Sequence, residues 1–455
     1  MKLKRLGLAI AIGVLAGCAV PALPPAPSPL ALAATWREPA DSAAQPLRHD
    51  WWREMGDSTL DALVAHALSH NTDLLLAGAR LDEARAALAS SRAADGPQVN
   101  ALLALQTSRS LQPTGLSDSR LAQPALSASW EVDLWGRLRS LTRAAELRVL
   151  ASEAERDGVA LGIVSTTVQS YIGLRALQAQ LELTRVTLAS RAAALRLAED
   201  QARTGYISQL QLTQAQAEFA SVAQAVPSLE LAIQRQENGL ALLTGQAPAS
   251  TPTGLGFEEI ALPLPPAGLP SSLLERRPDI AQAALQLAAS DATLASRRAA
   301  FLPQLSLSAS AGELYVSALH YNPVHVWSLG GSVLAPLFDA GRLQAQFDGA
   351  HAQRDQSAFA YRGRVLTALA EVENALAGVE RLERQRRLAQ QRREVLARSL
   401  RFAHDRYEAG YASYLEELDA QRNLYAQDGE LIRLRQAVLD NQIALVRALG
   451  GGWRP

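Results

Sequence analysis

The chain has a single cysteine, Cys18, among its 455 residues, so no intrachain disulfide can brace the fold. Its only lysines are Lys2 and Lys4. Without these two and Arg5, the remainder carries a net charge of −4, which lacks the basic excess that marks nucleic-acid binding. Beyond the first twenty residues no apolar run reaches the ~18 residues of a transmembrane helix. Any membrane crossing would have to use strands of a closed barrel. Catalytic signatures are missing as well: there is no G-x-S-x-G elbow, no Walker loop and no cysteine pair. His66 and His70 have i, i+4 spacing without the glutamate of an H-E-x-x-H zinc site. The reading is therefore no catalytic residue, no metal site and no cofactor. A periplasmic hydrolase would need a catalytic cluster that this sequence does not offer.

What is present begins at the N-terminus. Lys2, Lys4 and Arg5 precede a short apolar core, Leu6–Val14, as in a secretory signal. The core ends at Leu15-Ala16-Gly17-Cys18, which resembles a bacterial lipobox. That resemblance implies removal of residues 1–17 and lipid attachment at Cys18. Ala19 rather than aspartate follows the cysteine, which implies the outer membrane. Residues 18–56 then read as a lipid-anchored tether, with five prolines between Ala19 and Pro29 favouring an extended chain.

The stretch Ser127–Arg137 alternates: Leu126, Ala128, Trp130, Val132 and Leu134 on one face, Ser127, Ser129, Glu131 and Asp133 on the other. A period of two with one oily and one wet face predicts a strand between two environments. Trp130 and Trp135 fall on opposite faces, so Trp135 is expected to leave the alternation at a turn. After Gly136 the pattern becomes helical for about 65 residues, far beyond the usual ~11–12.

The same plan recurs about 205 residues later. Gly136-Arg137 matches Gly341-Arg342, Gly205-Tyr206 matches Gly410-Tyr411, and Asn71-Thr72-Asp73 matches Arg277-Pro278-Asp279. Two repeats follow, 57–245 and 269–455, joined by a Pro/Gly-rich linker at 246–268. The first repeat carries strands near 99–109 and 125–135 and long helices near 137–203 and 208–245. The second carries strands near 305–312 and 324–337 and long helices near 342–407 and 413–449. Pro227 should break the return helix of the first repeat; its counterpart, Ile432, should not.

Strands of this length and alternation suit an outer-membrane barrel wall. Four cannot close, because the smallest barrels need about eight, so other copies of the chain must pair the edges. Two copies would give eight strands and three would give twelve; strand count alone does not choose. Leu174, Leu177, Leu181, Thr184, Leu188 and Leu195 trace a 3-4 seam interrupted by Arg191. Val365, Leu369, Val372, Leu376 and Val379 trace a second, and Leu415, Leu418, Tyr425, Ile432, Leu439, Ile443 and Val446 a third. Such seams predict coiled-coil packing over roughly 100 Å.

At each helical hairpin a glycine (Gly205, Gly410) suits a left-handed C-cap. Ser208…Gln211 and Ser413…Glu416 read as capping boxes. Tyr206 and Tyr411 then sit at the tips, as candidate docking residues. Asp200 and Asp405 lie five residues before each tip glycine, where a ring of copies would make them a candidate constriction. Trp135, Gly136, Gly341 and Arg342 mark the strand–helix junctions.

Trp130-Glu-Val-Asp-Leu-Trp-Gly-Arg137, Leu274-Glu-Arg-Arg-Pro-Asp-Ile280, Pro336-Leu-Phe-Asp-Ala-Gly-Arg342 and Tyr407-Glu-Ala-Gly-Tyr-Ala-Ser-Tyr-Leu-Glu-Glu-Leu-Asp-Ala-Gln-Arg422 resemble the signatures of outer-membrane efflux lipoproteins, the NodT/OprM-like branch of the TolC superfamily. That resemblance implies a mixed, mostly helical fold. Four strands per chain would close into a transmembrane β-barrel by trimerisation and continue into a long periplasmic α-helical barrel. It also implies a homotrimer in outer-membrane lipid that works with a periplasmic adaptor protein docked at the hairpin tips and an inner-membrane transporter of RND type. The function so implied is the passive exit duct of a tripartite efflux pump. The alternatives are the export duct of a type I secretion system and a lipid-anchored, envelope-spanning scaffold or adhesin.

Overall fold

The computed structural model describes residues 21–22, 33–38, 48–112, 115–263, 270, 273–317 and 323–453. The leader, Cys18, most of the tether and part of the linker lie outside these. After a 3-10 turn at Trp51–Met55 come α1 (Ser58–His70), α2 (Thr72–Ala93), β1 (Gln98–Gln112), β2 (Gly115–Val132) and α3 (Arg137–Arg203). Then follow α4 (Gln209–Ala223), α5 (Ala225–Leu243), α6 (Leu273–Arg276), α7 (Pro278–Ala299), β3 (Gln304–Val316), β4 (Val324–Leu334), α8 (Arg342–Glu408) and α9 (Tyr414–Ala448). No described helix is long and apolar enough to cross a membrane.

The chain divides into two compact units. The first is built from Ala79–Glu153 and Ala281–Gly363 and holds an antiparallel sheet in the order β1-β2-β3-β4. The register is unshifted throughout, with Val99 opposite Ala128, Trp130 opposite Leu307 and Ala309 opposite Leu329. Directly opposed residues share a face. One face therefore collects Val99, Leu103, Leu105, Leu126, Trp130, Leu305, Leu307, Trp327, Leu329 and Val333. The other collects Asn100, Gln106, Ser127, Ser129, Ser306, Ser308, Ser310, Ser328 and Ser332.

β2 is paired on both sides, yet Gln123 and Pro124 have no partners in β3. Pro124 lacks the N–H that a central strand uses. There the backbones crowd: a Cβ on Gly312 would lie 2.3 Å from the Pro124 carbonyl oxygen, so only glycine fits.

Three strands run further outward than alternation predicts: β1 to Gln112, β2 back to Gly115, and β3 to Val316. On β2 polar residues occupy both faces there, and on β3 the alternation inverts at Glu313-Leu314-Tyr315-Val316, which erases the sequence signal while backbone pairing continues. At the other end β2 stops at Val132 rather than 135, because Asp133 turns away to cap α3. β4 stops at Leu334 rather than 337, since Pro336 cannot donate to a ladder.

The second unit comprises Ala31–Gly78, Ala154–Ile280 and Arg364–Pro455. Its main core joins Trp51, Trp52, Val168, Tyr171, Ile172, Leu240, Phe257, Ile260 and Ile443. A smaller core packs Trp36 against Leu273, Val372, Ala375, Leu445 and Leu449. Asp57, 3% exposed, is the α1 N-cap. Its carboxylate accepts from the amides of Thr59, Leu60 and Leu255 and from the Tyr171 hydroxyl at 2.5 Å. Burial raises its pKa, but the hydrogen bonds from Tyr171 and these amides outweigh burial and hold it below the ordinary carboxylate value. Two arginines strap the linker to the helices. Arg175 donates to the carbonyls of Gly254 and Leu255, and Arg435 to those of Phe257 and Ile260.

The return path of the first repeat breaks at Gln224, between α4 and α5. Pro227 supplies no N–H to the Ala223 carbonyl and its ring clashes there. The counterpart α9 is continuous through Ile432. The seams bury Leu174, Leu181, Thr184, Val365, Val372, Leu418, Leu439, Ile443 and Val446, whereas Leu415 beside the second tip is 45% exposed.

Candidate functional site: the strand–helix joints and the hairpin tips

At the first joint the chain turns at Gly136 (φ 78°). The Asp133 carboxylate accepts from the Arg139 amide at 2.9 Å and from its guanidinium at 3.3 Å. Arg137 forms a two-bond pair with Glu131, at 3.0 and 2.7 Å, locking the strand end to the helix start. The Trp135 indole leaves the strand faces and donates to the Pro303 carbonyl at 2.7 Å, while the Trp130 indole donates to the Asp95 carbonyl at 2.9 Å. At the second joint, Gly341 (φ 84°) follows Ala340, which is itself left-handed at φ 54°. Asp339 accepts from the Gly341 amide at 3.1 Å and the Leu343 amide at 2.8 Å, with Arg342 at 3.9 Å. The residues that hold both joints are thus Asp133 and Asp339. Asp133 had read as the polar face of a strand. The signal for both was an aspartate two or three residues before a Gly-Arg helix start.

Both tips close in the same way. The Tyr206 amide donates to the Gln201 carbonyl and the Gly205 amide to that of Ala202; Tyr411 and Gly410 do the same to Arg406 and Tyr407. This is the Schellman arrangement, and it needs φ of 75° at Gly205 and Gly410. Tyr206 and Tyr411 are 81% and 80% exposed. The Ser208 capping box forms in full. The box expected at Ser413 does not: its side chain makes no cap bond, because the Glu416 carboxylate turns to Arg406, 3.4 Å away.

Of the candidate constriction residues, Asp200 is engaged by Arg203 at 2.7 Å, with both side chains exposed. Asp405 is exposed and has no ion-pair partner among the described residues. The structure pairs other charges near the tips. Arg191, which broke the seam, is 6% exposed and lies 3.5 Å from Glu218, itself buried. Glu218 also receives the Arg422 guanidinium at 2.7 Å. One buried carboxylate therefore ties α3, α4 and α9 together. Sequence reasoning missed it, although Ala215, Glu218 and Val222 form a buried 3-4 stripe, where a charge demands a partner. His404 contacts Glu417 at 3.0 Å and Glu408 at 3.4 Å. The hydrogen bond to Glu417 raises the His404 pKa.

His66 and His70 stack at 4.1 Å, and the His66 ring bonds to the Thr244 carbonyl at 2.9 Å. Among the described residues no three His, Cys, Asp or Glu side chains are grouped to hold a metal.

These features match known proteins. The outer membrane efflux protein family profile matches residues 63–246 and 269–451, the two repeats in order. The chain is 35% identical over 469 residues to the pyoverdine export outer membrane protein OpmQ of Pseudomonas aeruginosa, covering 100% of this chain and 98% of that one. It is 32% identical to the cation efflux system protein CusC of Escherichia coli, covering 91% and 90%. The solved outer-membrane channel OprN superposes with a TM-score of 0.84 at 28% identity, covering 94% of this chain and 99% of that one. The chain belongs to the outer membrane efflux protein family and is the outer-membrane channel component of an efflux system.

Proposed function

We propose that this chain is the passive exit duct of a tripartite pump, closed by trimerisation. One observation carries the reading. The register gathers most of the large apolar side chains of the four strands on one face, with Leu102, Leu121, Leu314, Val326 and Leu334 on the other, while among the described residues β1 and β4 end the sheet without a further partner. An apolar face of this kind suits lipid and the serine-rich face a wet lumen. Open edges call for other copies, and three copies supply twelve strands. On β2 the apolar band runs from Ala122 to Val132. Ten residue steps at about 3.3 Å, tilted by roughly 40°, rise about 25 Å, the height of a barrel's apolar belt.

In this reading residues 1–17 are the signal, Cys18 carries lipid and 18–56 tether it. The repeats 57–245 and 269–455 flank a linker at 246–268. The exposed Tyr206 and Tyr411, on turns closed by Gly205 with the Ser208 capping box and by Gly410 ahead of Ser413, dock a periplasmic adaptor. An inner-membrane transporter of RND type delivers the cargo. Asp200 and Asp405 supply carboxylates to the periplasmic constriction. Cargo follows the transporter: OpmQ is named for pyoverdine and CusC for cations, with similar identity to this chain.

Purified protein added to planar bilayers should give discrete conductance steps; a monomeric, non-conducting product overturns the reading. Asp200→Asn combined with Asp405→Asn should lower cation preference. An unchanged reversal potential under a salt gradient removes both from the constriction.

A further inference from the structure

The apolar face of the sheet ends outward in a polar rim. Thr107 and Arg109 lie on β1, Asp118 and Arg120 on β2, Glu313 and Tyr315 on β3 with Ser317 just beyond, and His325 on β4. Register places Arg109 opposite Asp118, Thr107 opposite Arg120 and Glu313 opposite His325. The Arg120 amide donates to the Ser317 hydroxyl at 2.9 Å, and the Ser317 amide to the Arg120 carbonyl at 3.0 Å, so Ser317 continues the ladder on the same face.

The rim carboxylates are already engaged. Asp118 takes both guanidinium bonds of Arg109, at 2.5 and 2.8 Å. Glu313 accepts from the Tyr315 hydroxyl at 2.8 Å and faces His325 at 3.7 Å. Arg120 is exposed and has no carboxylate partner among the described residues. It borders an open depression of about 520 Å³ lined by Leu105, Thr107, Ala122, Tyr315 and Ser317. One cation and the hydroxyls of Thr107 and Ser317, with that of Tyr315 already donated to Glu313, therefore sit above two aliphatic side chains.

A guanidinium on a lipid-facing strand is costly in hydrocarbon and belongs at headgroup depth. Arg120 lies two residues outward of Ala122, where the apolar belt of β2 ends, which puts it about 5 Å beyond the belt at barrel tilt. Guanidinium and hydroxyl donors match a phosphate, and Leu105 and Ala122 offer a wall for an acyl chain.

We propose that this depression binds the phosphate-bearing headgroup of an outer-leaflet lipid, with Arg120 as its principal contact. The proposal rests on the reading that the apolar face meets lipid. The source is a lipid, because the site opens at the end of the apolar belt and its floor is aliphatic.

The test uses the purified full chain in detergent, with lipid retention read by native mass spectrometry. Diphosphoryl lipid A should be retained roughly tenfold better than its dephosphorylated form. Arg120→Gln should abolish that difference, Arg120→Lys should keep most of it, and Thr107→Val should reduce it severalfold. Millimolar inorganic phosphate should not displace the lipid. Equal retention by wild type and R120Q, equal retention of dephosphorylated lipid A, or displacement by inorganic phosphate overturns the proposal. Planar-bilayer recordings separate the two readings. R120Q that conducts but loses the preference supports the site. Wild type that conducts but shows no preference rejects the site alone. Wild type that does not conduct rejects the duct.

Discussion

Asp440, on α9, is a carboxyl with no cationic partner among the described residues. Its Oδ1 is buried with no hydrogen-bond partner, and burial pushes its pKa up to about 6 against a weaker opposing bond from Gln436. A folded value above the unfolded 3.8 means that the folded state holds the proton more tightly. The resulting stability is complete below about pH 3.8 and is lost as pH rises through about 6. Wild type should therefore melt at a higher temperature at pH 5 than at pH 7.5. Asp440→Asn should flatten that slope and gain on the order of 1–2 kcal/mol at pH 7.5; thermal unfolding at both pH values checks this. Asp57 has the opposite sign. Its lowered pKa contributes stability above the unfolded value that fades on acidification. Asp57→Ala would leave the Tyr171 hydroxyl and three amides without their acceptor. We expect a loss of about 2–4 kcal/mol, measurable by denaturant titration.

Among elements, the helical hairpins show how local rules and long-range charges divide the work. Gly205 and Gly410 close both tips alike, but α4 starts on a capping box and α9 does not, since Arg406 captures Glu416. The second tip therefore depends more on its glycine. Proline, fixed near φ −65°, cannot occupy φ 75°. Gly410→Pro should sharply reduce adaptor cross-linking at Tyr411 while leaving bilayer conductance intact; undiminished cross-linking would discount the tip as the docking surface. Further from the tips, the Arg191–Glu218–Arg422 cluster ties helices of both hairpins through one buried carboxylate. Removing one member of such a cluster is far more disruptive than removing the whole.

For the molecule as a whole, the proposed function gives two separable anchors, insertion of a closed barrel and lipid attachment at Cys18. In that reading a closed apolar belt holds the barrel in the membrane without help from the lipid on Cys18. Cys18→Ser should slow delivery to the outer membrane and lower the yield of trimer, yet the trimers that form should resist carbonate extraction. Membrane fractionation with unheated gel electrophoresis reads both.

The sequence by itself determined the family, the duplication, the four strands, the long helices, the proline break and the tip glycines. All are encoded by local periodicity and by residues with special backbone preferences, which act without knowledge of the rest of the chain. Only the tertiary structure decided what depends on distant partners. Asp133 caps a helix instead of extending a strand, Arg191 finds Glu218, and Ser413 loses its box to an ion pair. Strand register did the most, since pairing brought side chains from four separated segments into one apolar face with Arg120 at its rim. Such pairings are set by the geometry of the assembled chain, and no local pattern near any one of these residues records its partner.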